Sequence, residues 1–346
     1  MDNRITKARE KLNEFKGVAD RRLAELFDDW MERSLDHSEG SASLSPRELV
    51  KSVADLTLRG GKRIRPALVL LSCDLFSGAV ESALIPAIAI EIFHNFTLLH
   101  DDIMDRSELR RGHPTVHVKY DENVAILSGD VMSILASRLM NQAPGVVLNV
   151  VHDVFTLTAM QVCEGQQMDM NFEGLASVTE EEYLTMIELK TAVLIAASLK
   201  IGAILGGASE RDAEDLYAFG RNLGLAFQLQ DDLLDTYGDP ALTGKKQGTD
   251  IVDNKKTFLV IQALEAASDD QKQELLAWMK EKDSDAAEKI SAVTDIFDAL
   301  NIKDITEKRI REYYLQALNN LKDLNRPEER KTELFNFASI LMNRNR

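Results

Sequence analysis

The sequence predicts an all-α protein. Only seven prolines and eighteen glycines occur among its 346 residues, and good helix formers such as Leu, Ala, Glu and Lys are abundant. Apolar residues recur with helical spacing in long runs from about residue 67 onward. Because 45% of the residues are hydrophobic and no change of composition divides the chain, we expect a single domain over residues 1–346.

Local signals predict where the helices begin and end. The polar stretch Ser34–Ser45 reads as a linker, and Ser45, Pro46 and Glu48 are typical of the start of a helix. Further breaks are predicted at residues 59–66, 77–82, 110–118 and 143–145.

The second half of the chain carries two more helix starts. Thr179 with Glu182 forms a capping pattern, and the helix after it should run to about residues 206–207. Ser209 and Asp212 open a helix that should reach Tyr237, where "GDPALTGKKQG" interrupts it. From residue 257 onward the pattern predicts polar amphipathic helices.

Charge and cysteine content exclude several classes of function. A formal net charge of −16 argues against nucleic acid and anionic membranes, which need a basic face. Cys73 and Cys163 form no metal or disulfide spacing, so we expect both in the core of a protein from a reducing compartment. The polar N-terminus has no signal-peptide pattern and no apolar run spans a bilayer convincingly, so we expect a cytoplasmic protein.

Two aspartate-rich segments match in pattern: "LHDDIMD" at 99–105 and "LQDDLLD" at 229–235. On a helix, the three aspartates of each segment fall within an arc of roughly 100°. A single acidic cluster of this kind is usually a solvated face, but these two interrupt strongly apolar sequence. Like charges held so close favour a hard cation such as Mg²⁺. The predicted metal ligands are Asp101, Asp102, Asp105, Asp231, Asp232 and Asp235.

Positive charge gathers at the breaks between helices, where donors can reach phosphate oxygens. Each group alone is an ordinary surface cluster, but their position beside acidic helices favours phosphate binding. The groups are Lys62, Arg63 and Arg65, then Arg110 and Arg111, then Lys245, Lys246, Lys255 and Lys256.

Lys190 lies in an apolar helical pattern, where a buried lysine requires a partner. Lys200 on the same pattern can instead be a surface residue. His113 and His117 have no further ligand to complete a zinc site, so we interpret them as structural.

Taken in order, "GGKRIRP", "HNFTLLHDDIMD", "RRGHPTVH", "LKTA", "FQLQDDLLD" and "GKKQGTDIVDNKKT" resemble the motifs of the trans-isoprenyl diphosphate synthases, which include farnesyl and geranylgeranyl diphosphate synthases. The resemblance covers a core at about residues 59–260. One mild departure is Ala192, where the family commonly has glycine. The resemblance implies an isoprenoid-synthase-type helical bundle around a deep central cavity, a homodimer, and two aspartate motifs that face each other across three Mg²⁺ ions.

The resemblance also implies roles for individual residues. Lys62, Arg65, His94 and Arg111 would bind isopentenyl diphosphate, and Arg110, Lys190, Lys245 and Lys255 would bind the allylic diphosphate. The backbone carbonyl near Lys190, together with Thr191 and Gln228, would stabilise by their dipoles the allylic carbocation that forms when diphosphate leaves. Two alternatives are a terpene cyclase of the same fold and a non-catalytic partner subunit. A cyclase would carry an NSE-type second motif, and a non-catalytic subunit a degraded aspartate motif.

Product length would be set upstream of Asp101, where a growing prenyl chain runs along the helix. Phe96 lies five residues upstream, about 7.5 Å along the axis, and in the family a bulky residue there limits products to short chains. The other predicted floor residues are Thr97, Phe93 and Ile90. Because Thr97 is not aromatic and "DDIMD" has no two-residue insertion, the resemblance favours a twenty-carbon product over a fifteen-carbon one.

Overall fold

A computed structural model describes residues 3–36, 47–76, 79–239, 247–281 and 285–342, and within them helices dominate, which confirms the all-α prediction. The first helices are α1 (Asn3–Asp36), α2 (Arg47–Leu58), α3 (Ile64–Phe76), α4 (Glu81–Met104), α5 (Val116–Lys119), α6 (Glu122–Met140) and α7 (Leu148–Gly174). After them come α8 (Glu180–Ile187), a π-helix (Glu188–Ala192), α9 (Val193–Leu205) and α10 (Glu210–Tyr237). The remaining helices are α11 (Thr249–Val252), α12 (Phe258–Ala266), α13 (Asp269–Lys280), α14 (Ala286–Ala299), α15 (Ile302–Asp323) and α16 (Glu328–Met342).

The chain divides into two compact units, with boundaries inside α7, α9 and α10. Unit 1 comprises residues 1–159 and 197–214, and unit 2 comprises residues 160–196 and 215–346. Each aspartate motif belongs to a different unit. The interpretation of residues 1–346 as one functional domain stays a prediction.

The core of unit 1 is built around α4, which packs against α3 and α6. Ala87, Ile88 and Ile92 of α4 are completely or almost completely buried, as expected of a helix that is apolar on most of its sides. The long helix α1 covers this core with a stripe of buried residues, Phe15, Ala19, Leu23 and Phe27, at four-residue spacing.

Small residues allow α9 to approach α3 closely within unit 1. A Cβ at Gly202 would lie 2.2 Å from Val69 O, and one at Gly206 would lie 2.7 Å from Cys73 O. Ser72 Oγ donates a hydrogen bond of 2.6 Å to Leu199 O in the same contact. The two glycines, one turn apart, are therefore required where the helix backbones meet.

Unit 2 has a core in which α8 and α10 pack with α12. Tyr183, Leu225, Leu229 and Phe258 are buried together in this cluster. A second cluster joins α10 and α12 to the polar amphipathic helices that follow, through buried residues such as Leu259 and Phe297. The predicted helices after residue 257 are thus confirmed.

Several predicted boundaries are also confirmed. Thr179 and Glu182 form a capping box, and the amide of Asp212 donates to Ser209 Oγ at 3.1 Å. The predicted linker at 34–45 begins inside α1, which ends at Asp36; the rest of it, with Ser45 and Pro46, lies outside the described residues.

Two features of the fold differ from or add to the sequence prediction. The break at 110–118 contains a short antiparallel hairpin, β1 (Leu109–Arg110) and β2 (His113–Pro114), which the helical pattern did not predict.

Cys73 is buried, but Cys163 is exposed, so the prediction that both lie in the core was wrong for Cys163. The apolar face of α7 is set by residues such as Phe155 and Val162, and Cys163 lies about 100° round from Val162.

Among the described residues, two helices are long and apolar enough to cross a membrane by length and composition, α4 and α6. In α4, 61% of the most apolar stretch of the helix is buried inside the protein, and the helix ends in the first aspartate motif. We therefore interpret α4 as a core helix.

Candidate active site

The first aspartate motif occupies the last turn of α4, in unit 1. The side chain of Asp102 is 3% exposed and that of Asp101 is 20% exposed, whereas Asp105, the C-cap residue, is exposed. Arg110 on β1 donates from Nε to both carboxylate oxygens of Asp102 at 2.8 Å. The hairpin thus places a guanidinium directly on the motif, a pair that the sequence analysis did not predict.

Burial and ion pairing have opposite effects on the pKa values of Asp102 and Arg110. Burial raises the pKa of Asp102 above its usual range, although the hydrogen bond and charge of Arg110 lower it. For Arg110, burial lowers the pKa, but its hydrogen bond and attraction to Asp102 outweigh that effect and raise it. Arg110 therefore stays charged, and it holds Asp102 in a fixed orientation.

The second aspartate motif lies on α10, in unit 2, and its middle residue is again buried. Asp232 is 4% exposed and accepts hydrogen bonds from Tyr183 Oη and from Gln228 Nε2 at 3.1 Å. Burial, together with the charge of Asp250, raises the pKa of Asp232 to about 7. Among the described residues no guanidinium offsets the charge of Asp232, and neutral donors fix this carboxylate.

Asp235 connects the same motif to the loop that follows α10. Its carboxylate accepts from Thr249 Oγ1 and from the amide of Asp250 at 3.0 Å. It thereby satisfies amides at the start of α11, which would otherwise lack partners. Sequence reasoning missed Thr249 and Asp250 as partners of the motif, because only the fold brings the loop back to α10.

The carboxylate sets match the chemistry of Mg²⁺, which prefers oxygen ligands. Within the described residues, no group of three His, Cys, Asp or Glu side chains is arranged to hold a metal ion by itself. Mg²⁺ characteristically takes only one or two carboxylates from the protein and completes its shell with water and substrate phosphates. Asp101 and Asp231, which are more exposed than their buried neighbours Asp102 and Asp232, fit that open kind of coordination.

Lys190 and Thr191 lie in the π-helix, a rare form that is often found at functional sites. Lys190 Nζ lies 2.6 Å from Asp169 Oδ2, which is the partner that a lysine in an apolar pattern requires. Thr191 Oγ1 donates to Gln228 Oε1 at 3.2 Å. Because Gln228 also donates to Asp232, Thr191 is connected to the second aspartate motif through a single side chain.

Two glycines permit the π-helix. A Cβ at Gly165 on α7 would lie 2.3 Å from Lys190 N, and a Cβ at Gly224 on α10 would lie 2.6 Å from Ala192 Cα. The mild departure from the family pattern, Ala192, is thus accommodated by a glycine opposite it. Neither glycine nor Asp169 was found from the sequence, because their partners are distant in the chain.

The predicted isopentenyl diphosphate residues cluster in unit 1. Arg65 Nη1 lies 3.1 Å from His94 Nε2, and Arg111 Nη1 donates to Gly60 O. Gly61, with φ of +153°, faces the Arg111 guanidinium so closely that a Cβ there would lie 3.1 Å from Nη1. Lys62 lies in the same loop and is exposed.

This cluster has a strongly positive environment. Burial lowers the pKa of Arg65 to about 10, and burial with the charges of Arg65 and Arg111 lowers that of His94 well below 6.5. Arg65 Nε is buried and has no hydrogen-bond partner among the described residues. A buried, unsatisfied guanidinium nitrogen among cations indicates a site that an anion completes.

Arg63, which the sequence grouped with the phosphate-facing charges, has a different role. It is 2% exposed and pairs with Asp20 at 2.7 Å and Glu91 at 2.6 Å. It also donates to Thr57 O at 2.7 Å. Arg63 therefore anchors the loop between Lys62 and Arg65 to three helices, and its donors face the core.

The second basic loop is only partly described, since Lys245 and Lys246 lie outside the described residues. Lys255 Nζ lies 3.9 Å from Asp250 Oδ1. Lys256 Nζ donates to Phe172 O at the end of α7 at 2.6 Å, so it supports the loop structurally.

The predicted chain-length residues lie on α4. Phe96 is half-buried between Phe93 and His100, with ring centroids at 5.3 Å and 4.9 Å. Ile90 and Phe93 are buried, and Thr97 Oγ1 donates to the backbone of the preceding turn. The Phe96 ring therefore lies between two other rings, and the Phe93 ring likewise lies between Phe96 and Phe155.

The position of His100 depends on Gly129 of α6, which the sequence analysis did not identify. His100 Nε2 lies 3.2 Å from Ile126 O, and a Cβ at Gly129 would lie only 2.1 Å from that nitrogen. Gly129 thus leaves the space that the His100 ring fills, and His100 in turn packs on Phe96.

Comparison with known proteins identifies the fold and its family. Residues 46–297 match the polyprenyl synthetase family. The chain is 46% identical over 222 residues to a geranylgeranyl diphosphate synthase of Methanosarcina mazei, which covers 64% of this chain and 68% of that enzyme.

Two solved structures share the fold over nearly the whole chain. A geranylgeranyl pyrophosphate synthetase from Pyrococcus horikoshii has a TM-score of 0.86 at 34% identity and covers 97% of this chain and 99% of its own. A geranylgeranyl pyrophosphate synthase from Corynebacterium glutamicum, complexed with isoprenyl diphosphate and magnesium, has a TM-score of 0.86 at 29% identity, with 96% and 99% covered. The chain therefore belongs to the polyprenyl synthetase family and is a trans-prenyltransferase of that all-α fold.

Proposed function

We propose that this enzyme condenses isopentenyl diphosphate head to tail with an allylic diphosphate and makes geranylgeranyl diphosphate in preference to farnesyl diphosphate. The observation that carries the proposal is the cationic cluster around Arg65, which forms an anion site distinct from the aspartate motifs. A second diphosphate substrate explains such a cluster. The names of the related enzymes support the twenty-carbon product.

The cationic cluster is the proposed isopentenyl diphosphate site. Arg65 and Arg111 provide guanidinium donors for its diphosphate, and Lys62 extends from the same loop. Burial and the surrounding charges keep the pKa of His94 well below 6.5, so it provides a hydrogen bond rather than a further charge. Arg63 keeps this loop in place through its buried pairs.

The allylic diphosphate is proposed to bind through Mg²⁺ and a second set of cations. The six motif aspartates would hold the metal, for which we propose three ions as in the family resemblance, and the metal would stabilise charge on the leaving diphosphate. Arg110, Lys190 and Lys255 are the described cations assigned to it, and Lys245 is assigned from the sequence alone. Arg110 and Lys190 are each oriented by a carboxylate, Asp102 and Asp169.

The reaction breaks the bond between C1 of the allylic substrate and its diphosphate oxygen. The double bond of isopentenyl diphosphate then supplies the electron pair for the new carbon–carbon bond, and the departing diphosphate takes the proton that is lost. The backbone carbonyl near Lys190 and the side chains of Thr191 and Gln228 stabilise the intermediate cation by their dipoles. Thr191 Oγ1 donates a hydrogen bond to Gln228 Oε1, so its oxygen lone pairs remain available to face positive charge.

The alternatives predict other features. A terpene cyclase of this fold would carry a different second metal motif and would not need the cluster around Arg65. A non-catalytic subunit would carry a degraded aspartate motif, whereas both motifs here are intact. The family match makes an unrelated acidic scaffold untenable.

We further propose a cytoplasmic homodimer. An apolar surface on unit 1 supports the second copy, because single exposed apolar residues are common but a cluster indicates an interface. Its exposed residues are Ile126, Leu127 and Ile134 of α6 and Val150 and Leu157 of α7.

The decisive experiment is chromatography of the dephosphorylated products made from isopentenyl diphosphate with dimethylallyl, geranyl or farnesyl diphosphate. We expect a twenty-carbon alcohol with Mg²⁺ and none in excess EDTA. Asp101→Ala and Asp231→Ala should lower kcat by orders of magnitude, whereas Asp28→Ala, an exposed acid on α1, should not. Condensation at normal rates in EDTA would refute the metal assignment, and a product of thirty carbons or more would refute the chain length.

A further inference from the structure

Lys289 on α14 is a buried lysine outside every motif that the sequence analysis identified. It is 3% exposed. Its Nζ donates to Asn254 Oδ1 at 2.6 Å, to Glu281 O at 3.1 Å and, at the longest distance, to Val252 O at 3.5 Å. A buried ammonium is costly unless its donors are satisfied, and these three acceptors match its three N–H groups.

Two of the three acceptors of Lys289 lie at the C-terminal ends of helices. Val252 is the last residue of α11, and Glu281 is the C-cap of α13. Carbonyls at helix C-termini lack intrahelical partners and carry partial negative charge, so a cation stabilises them. Lys289 therefore links α14 by hydrogen bonds to the C-terminal ends of α11 and α13.

The third acceptor, Asn254, immediately precedes Lys255. Asn254 has a positive φ of 58°, a conformation that is uncommon for a residue with a side chain. The amide of Lys255 donates to Asp250 O at 2.9 Å, which closes the turn. The shortest contact of Lys289 is thus with the side chain of the residue that immediately precedes Lys255.

The same turn is held at its other points by contacts already described. Asp235 fixes its beginning through Thr249 and the amide of Asp250, and Lys256 fixes its end on Phe172 O. Lys289 holds the middle of the turn from a different helix, α14.

We propose that Lys289 is a positioning residue for Lys255 and therefore for the allylic diphosphate. The inference rests on the proposed function, since it assumes that Lys255 contacts that substrate. If the contact of Lys289 with the turn is lost, Lys255 has to become ordered when the allylic diphosphate binds. The affinity for that substrate then falls, because the charge-assisted contact between Lys255 and the diphosphate is weakened.

Lys331 provides a matched control. It is also a buried lysine, 2% exposed, and it donates to Lys322 O and Leu324 O at the end of α15 and pairs with Glu328. None of its described contacts reaches the turn at 253–256. Replacement of either lysine by methionine keeps the aliphatic stem and removes the charge, so both variants should lose stability.

The test compares steady-state kinetics of Lys289→Met and Lys331→Met. We expect Lys289→Met to raise KM for the allylic diphosphate about tenfold, with KM for isopentenyl diphosphate unchanged, and Lys331→Met to change neither. Asn254→Gly, which keeps the positive φ and removes the acceptor, should act in the same direction if Lys289→Met folds poorly. Hydrogen exchange of residues 247–257 should accelerate in Lys289→Met alone.

The outcomes separate the two levels of inference. Equal KM values for the allylic diphosphate in the two lysine variants would overturn the role of Lys289, and so would unchanged hydrogen exchange at residues 247–257. Either result would leave the proposed condensation reaction unaffected. A wild-type enzyme that binds neither substrate and forms no prenyl product would instead overturn the proposed function.

Discussion

Substitution of Gly165 by alanine should impair catalysis without removing any charged group. The added Cβ would lie 2.3 Å from Lys190 N and 2.7 Å from Leu189 C, both of them backbone atoms. Since ordinary contacts begin at 3.4 Å, the π-helix has to move by about 1 Å. Overpacking of this kind costs about 1–3 kcal/mol, and the better helix propensity of alanine returns only about 1 kcal/mol.

The displacement should affect kcat more than stability. Lys190 and Thr191 move with the π-helix, and a misplacement of about 1 Å can cost on the order of 100-fold in rate. We therefore expect a fall in kcat of about that size at saturating concentrations of both substrates, with a decrease in Tm of only a few degrees.

Gly174→Ala is the matched control, because Gly174 ends the same helix, α7, and no atom lies within 4 Å of an added Cβ. Its kcat and Tm should stay near the wild-type values. If Gly165→Ala matches Gly174→Ala in both quantities, the π-helix tolerates the shift and our account of its packing is refuted.

Arg65→Lys should raise KM for isopentenyl diphosphate about tenfold and leave that for the allylic substrate nearly unchanged; equal increases would mean that the loop serves both. Phe96→Ala should lengthen the product, because it removes a ring held between Phe93 and His100; an unchanged product would place the floor elsewhere. Asp232→Asn should stabilise the protein in EDTA at pH 8 but hardly at pH 4. With a folded pKa of about 7 against 3.8, the native state binds the extra proton, so wild-type stability falls as pH rises from about 4 to 7, by on the order of 4 kcal/mol in total. Parallel wild-type and variant curves in chemical denaturation would contradict that pKa.

Local patterns predicted those parts of the fold that depend on neighbours in sequence. The capping box at Thr179 is formed by two residues three positions apart, so its signal is contained in the chain itself. The aspartate arcs follow in the same way from helical periodicity, and the need of Lys190 for a partner follows from its apolar surroundings. These features depend only on residues that are close together in the sequence.

The partners themselves depend on contacts that sequence spacing does not encode. Asp169 reaches Lys190 across 21 positions, and nothing in its own segment distinguishes it from a surface acid. Arg63 shows the converse, since its neighbours Lys62 and Arg65 are the residues assigned to the proposed substrate, whereas Arg63 is buried in ion pairs with Asp20 and Glu91. A charge in a basic motif can therefore be structural, and only the fold reveals which one is.

The two aspartate motifs are alike in sequence but are stabilised differently. Asp102 is buried beside Arg110, whose hydrogen bonds and charge offset part of the cost of burying its carboxylate. Asp232 is buried beside neutral donors and near the carboxylate of Asp250, so loss of its charge removes a repulsion. The same Asp→Asn change should therefore stabilise the metal-free protein less at position 102 than at position 232, because the change at 102 also removes the ion pair with Arg110, although both changes remove a proposed metal ligand. That difference follows from the partners that each unit supplies, and the repeated motif itself does not contain it.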